Sequence, residues 1–129
     1  MSDEGREHAH ALLEMARKDA RALAGMTDRE TFADEIFGFH AQQATEKALK
    51  AWCARRGIEY PLTHDLSELI AMLREDGCNV DAFEDLLRFN AFAVLFRYEA
   101  LEEEPPFFER EQVIKELDEL LTHVAQRLK

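Results

Sequence analysis

Hydrophobic periodicity places this chain in the all-α class, as an antiparallel four- to five-helix up-and-down bundle. Three observations lead there. Apolar residues recur at three- and four-residue intervals in several separate stretches, and Gly25, Gly57, Gly77 and Pro105-Pro106 stand where those stretches stop. The alternation expected of a half-buried strand is missing, and the one apolar run that raises the question, Phe89 to Phe96, has the length and neighbours of a buried helix.

The first helix carries Ala9, Leu12, Leu13, Ala16, Ala20, Leu23 and Ala24 on one stripe and ends near Gly25. Thr27 or Asp28 can cap a second, in which Phe32, Ile36, Phe39 and Gln43, with Ala33, Phe37, His40 and Ala44, follow at helical intervals. It continues through Trp52 to Arg56 and stops at Gly57. Roughly 28 residues at 1.5 Å each would span about 42 Å. Thr63 or Asp65 opens a shorter third helix, with Asp65 and Glu68 spaced as a capping box and Leu66, Leu69, Ile70 and Leu73 as its buried face. A fourth is expected from Asp81 to Arg97-Tyr98 through Phe83, Leu86, Leu87, Asn90, Phe92, Val94 and Leu95. After the break at Glu102-Glu103-Glu104-Pro105-Pro106, Val113, Leu117, Leu120, Leu121, Val124 and Leu128 mark the last.

Residues 1–129 read as one domain, large enough to bury roughly 65–70% of its extended-chain surface without a disulfide or metal. Cys53 and Cys78 fit no metal-ligand spacing and are expected to be reduced. No apolar run reaches the ~18 residues of a membrane span and the N-terminus lacks a leader's apolar stretch, so a cytoplasmic protein is expected. A net charge of −11 repels phosphate backbones and excludes non-specific nucleic-acid binding, while leaving room for a local basic pocket.

One polar strip interrupts the apolar second helix. His40, Gln43 and Lys47 share a face with Ala44, and Glu46 and Lys50 lie beside it. An imidazole, a carboxamide and an ammonium suit a phosphate or nucleobase; equally, Glu46 and Lys50 make an ordinary i,i+4 pair and His40 a satisfied core histidine. Thr63-His64-Asp65-Leu66 offers a helix N-terminus as an anion site with His64 beside it, or a plain cap. Arg97-Tyr98 can clamp a phosphate, or Arg97 can pair with Glu99, Glu102 or Glu103. The acidic runs lack the paired histidines of a transition-metal site, and no G-x-S-x-G, P-loop or zinc motif occurs. No catalytic residue, metal or cofactor is therefore assigned.

Phe39-His40-Ala41-Gln42-Gln43-Ala44-Thr45-Glu46-Lys47-Ala48-Leu49-Lys50-Ala51, then Pro61-Leu62-Thr63-His64-Asp65-Leu66, then Phe96-Arg97-Tyr98, resemble in order and spacing the HEPN domain family (higher eukaryotes and prokaryotes nucleotide-binding). The resemblance spans nearly the whole chain. It implies an antiparallel helical bundle and a homodimer formed through the long helices. Many members are ribonucleases that use Arg, four to six residues, then His; here Glu102, Glu103 and Glu104 stand at that distance from Arg97, so the general acid/base is out of place. What the resemblance then implies is a non-catalytic protein binding a nucleotide or related phosphate ligand through His40, Gln43, Lys47, His64, Arg97 and Tyr98. The alternative is an interaction module, a toxin–antitoxin type companion of a separate minimal nucleotidyltransferase, whose own Gly-Ser and Asp-x-Asp motif this chain lacks. A third reading is an unconventional ribonuclease.

Overall fold

The computed structural model describes residues 3–93 and 108–129. Helices α1 (Asp3–Ala24), α2 (Asp34–Arg55) and α3 (Leu66–Glu75) are followed by a 3₁₀ segment (Asp81–Phe92) and α4 (Arg110–Arg127). No strand occurs among the described residues, and the all-α class holds. The expected Val94–Tyr98 end of the fourth helix and the Glu102–Pro106 break lie outside them.

α2 is the axis on which the other elements pack, and its composition says why. Ala41, Ala44, Ala48 and Ala51 are fully buried, so neighbouring helices approach its backbone closely, while Phe37, Leu49 and Trp52 fill the space between them. α1 lays its buried stripe of Ala9, Leu13, Ala16 and Leu23 toward α2 in the opposite direction: His8 meets Tyr60 beyond the end of α2, and Asp19 meets His40 and Lys47 farther back. α4 runs the same way as α2. Its first residue, Arg110, bonds Asp34, and its last, Arg127, stands over Trp52.

α3 also runs with α2. Residues 57–65 travel back along α2 until the His64 carbonyl accepts from Gln42, and α3 then descends until Asp76 meets Arg56. The return stroke between α2 and α3 is thus made by this loop and not by a helix. The expected stops are present, with Gly57 at φ 73° and Gly77 at φ 90°, the left-handed conformation that glycine adopts without steric cost. Asp65 is the expected N-cap and accepts from Ser67 N.

Two elements depart from the sequence reading. α2 starts at Asp34 rather than after Asp28, because Asp28 is spent on its own turn: Oδ1 accepts from Glu30 N and Oδ2 from Thr31 Oγ1. The fully buried guanidinium of Arg110 then claims the carbonyls of Met26 and Phe32 at 2.6 Å each, and the Phe32 carbonyl is an acceptor that a longer helix would have used. The fourth expected α-helix is a 3₁₀ segment. Its buried residues Phe83, Leu86, Phe89 and Phe92 repeat every third position, which is the period of a 3₁₀ face. The extra rise matters. Phe83 packs near Trp52 and Phe92 lies on Gly38, a separation of roughly 21 Å along α2, and nine 3₁₀ steps cover about 18 Å where nine α steps cover about 13 Å. Gly38 permits the contact, since a Cβ there would stand 2.6 Å from the Phe92 ring.

Candidate functional site

The polar strip of α2 divides into two networks, each organised by one carboxylate. On the α1 side, Asp19 Oδ2 accepts from Lys47 Nζ at 2.6 Å, and Oδ1 lies 3.4 Å from His40 Nδ1. Both partners are more than two-thirds covered, as is Asp19. On the side of the 57–65 loop, Glu46 is buried. Its Oε1 accepts from Gln42 Nε2 at 3.0 Å and from His64 Nδ1 at 2.9 Å, and its Oε2 from Lys50 Nζ at 3.1 Å. The carboxylate can only accept, so His64 carries its proton on Nδ1. Gln42 Nε2 also donates to the His64 carbonyl at 2.9 Å, and Gln43 Nε2 donates to Gln42 Oε1 at 2.7 Å.

Burial alone would raise the pKa of the Glu46 carboxyl, but the hydrogen bonds from Gln42, His64 and Lys50 and the charge of Lys50 outweigh it and hold the carboxyl below its ordinary range. The site therefore keeps a buried anion surrounded by donors. Lys50 Nζ also lies 5.7 Å from the Tyr60 ring centroid, and the Tyr60 hydroxyl meets His8 Nε2 at 2.8 Å. The edge of the network is open to solvent at His64, whose side chain is 63% exposed, and at Leu62, which has no cover at all.

The amino-acid sequence is matched by the HEPN domain family model over residues 9–126. The chain belongs to the HEPN domain family. Comparison with curated proteins gives no match, and comparison with solved structures gives none either.

In this HEPN bundle the expected ligand-binding residues take the following places. His40 and Lys47 converge on Asp19; Gln43 and His64 join the Gln42–Glu46 network. Arg97 and Tyr98 lie outside the described residues. Asp19 and Gln42 were not among the residues singled out from the sequence, although each left a trace there. Asp19 falls three residues after Ala16 and four before Leu23, in the middle of the buried stripe of α1, where a carboxylate needs a partner. Gln42 precedes Glu46 by one turn and Lys50 by two, on a single face. Among the described residues no three or more His, Cys, Asp or Glu side chains gather to hold a metal ion, and no described helix is long and apolar enough to cross a membrane. Cys53 and Cys78 are free thiols.

Proposed function

We propose that this HEPN chain is a non-catalytic binding module of the cytoplasm, a homodimer that serves as the companion of a separate polypeptide with a basic surface, such as a minimal nucleotidyltransferase in a toxin–antitoxin type pair. One observation carries this reading. Lys47 and Lys50, the cations that the polar strip of α2 would offer a phosphate ligand, are each neutralised by a carboxylate of the same protomer, Asp19 and Glu46. His40, Gln43, Lys47 and His64 then serve the bundle itself, and recognition falls to the acidic exterior of a chain whose net charge is −11. The absence of Arg-x4-6-His from the sequence supports a role in binding over RNA cleavage.

The test is affinity purification of the full chain from the cell that encodes it. A second, basic polypeptide at fixed stoichiometry, released as ionic strength rises, is the expected result; the chain eluting alone as a homodimer at low salt would overturn the proposal.

A second reading, a nucleotide or related phosphate ligand bound at the α2 strip, draws on His64. Its imidazole is exposed, is oriented through Nδ1 by Glu46, and has no partner for Nε2 among the described residues. A ligand present at ~100 times its dissociation constant adds roughly 2.7 kcal/mol of stability. A thermal-shift panel of nucleoside mono-, di- and triphosphates therefore separates the readings: a flat response accords with the module, and a selective shift lost in Lys47→Ala accords with the ligand.

A further inference from the structure

At the C-terminal ends of α2 and α4, the last turns of these helices and the 77–79 turn line an open cavity of about 570 Å³. Trp52, Phe83 and His123 form its inner wall, and Arg55, Arg56 and Arg127 stand around it. None of the α2 strip residues lines it. The volume is that of a small-molecule site.

Two of its arginines differ from most others in the protein. Arg17, Arg29, Arg74, Arg88 and Arg110 each hold a carboxylate. Arg56 does so too, with Nε on Asp76 Oδ2 at 2.7 Å and Nη2 on the Asp76 carbonyl at 3.0 Å. Arg55 and Arg127 are different. Arg55 Nε donates to the Arg127 carbonyl at 2.9 Å and Arg127 Nη1 to the His123 carbonyl at 3.2 Å, and neither guanidinium has a carboxylate in ion-pair range among the described residues. A cation in the last turn of a helix is ordinary, because it faces the negative end of the helix dipole. That accounts for the sign of each charge. It does not account for two uncompensated guanidinium forks meeting over one cavity in a chain of net charge −11.

The wall adds a second observation. The His123 ring lies 4.6 Å from Trp52 and 5.1 Å from Phe83, centroid to centroid, and its Nε2 is buried with no hydrogen-bond partner among the described residues. A buried polar atom left unpaired costs about 1–3 kcal/mol, so the wall of the cavity carries an unsatisfied group, as Arg110 Nε is elsewhere in the bundle. Burial first, and the nearby charge of Arg127 second, lower the basicity of this ring and favour its neutral form.

We propose that this cavity binds a small organic oxyanion, a phosphate monoester or carboxylate carrying a group about the size of a benzene ring, with its anionic end between Arg55 and Arg127. The planar guanidinium matches both oxyanions through paired N–H donors, and the volume leaves room for more than an inorganic ion. The site stands independently of the partner-module reading.

Trp52 is the sole tryptophan of the chain and lines the cavity, so its emission reports on occupancy. The experiment titrates the full chain with phenyl phosphate and, separately, with benzoate while exciting Trp52. A saturable change with either probe is expected, with the phosphate and carboxylate arms telling which oxyanion is preferred. The dissociation constant should rise at least about tenfold in Arg55→Gln and in Arg127→Gln, the loss of one charge-assisted pair. It should not move in Arg74→Gln, whose guanidinium is held by Asp81 and Glu84 and does not line the cavity. If a glutamine variant does not fold, Arg127→Lys keeps the charge but removes the fork, and unchanged affinity there counts against the site. No saturable change with either probe would overturn the proposal. So would a response that survives both glutamine variants, and one lost only in Lys47→Ala would assign binding to the α2 strip instead.

Discussion

Glu46 sits inside the bundle with Gln42, His64 and Lys50 all donating to it, so the chemistry of one carboxylate ties α2 to the loop that precedes α3. Glu46→Gln keeps the shape and removes the charge, leaving Lys50 without its partner. The expected loss at pH 7 is about 1–3 kcal/mol, read from urea unfolding. The pH dependence has a definite sign. The folded carboxyl titrates below the unfolded one, which lies near 4.3, so the unfolded state takes up a proton first as pH falls. Its stabilisation is complete above about pH 4.3 and is lost as pH drops through the folded value; the stability gap between wild type and Glu46→Gln should therefore close in that range. A gap that stays constant down to the acid transition would count against the network. At this scale the sequence marked half of the site. His40, Gln43, Lys47 and His64 stood out as polar residues on or beside an apolar helix, but Asp19 lies on a different helix, and nothing local to α2 says that Lys47 will be met from α1.

Among the elements, the stops were legible and one start was not. Gly57, Gly77 and the Asp65 cap act within a turn of where they stand, so local reading suffices. The start of α2 depends on Arg110, which reaches the 26–34 segment from the far end of the sequence; no local signal reports that. The 3₁₀ segment was readable in principle, since Phe83, Leu86, Phe89 and Phe92 keep a strict period of three, but Leu87 and Asn90 supply enough four-residue spacings to suggest an α-helix. Gly38 gives this packing a test. Alanine would gain up to about 1 kcal/mol in helix propensity, yet its methyl would press on the fully buried Phe92 ring, and overpacking costs about 1–3 kcal/mol. Gly38→Ala should therefore lower the melting temperature; a rise would show that Phe92 does not lie against α2 as described. At the other end, Trp52→Ala should cost about 3–5 kcal/mol, since the indole is buried between Phe83, His123 and the Arg127 guanidinium.

For the whole molecule, an all-α bundle followed from periodicity alone, because burying one stripe per helix leaves few other arrangements. The direction of α3 did not follow, since it depends on how far residues 57–65 travel before Asp65 caps a new helix. The function proposed for the HEPN chain rests on charge: Lys47 and Lys50 of the α2 strip are balanced inside the protomer, so the proposal gives recognition to the acidic exterior and predicts a complex that weakens steeply with salt. That claim is tested most directly by a double-mutant cycle at the Asp19–Lys47 contact, comparing the unfolding free energies of wild type, Asp19→Ala, Lys47→Ala and the double variant. For a pair this well covered, with 16% and 23% of its side chains exposed, a coupling of about 1–2 kcal/mol is expected. Effects that simply add, to within about 0.5 kcal/mol, would mean that Lys47 is not committed to Asp19, and would return it to a ligand.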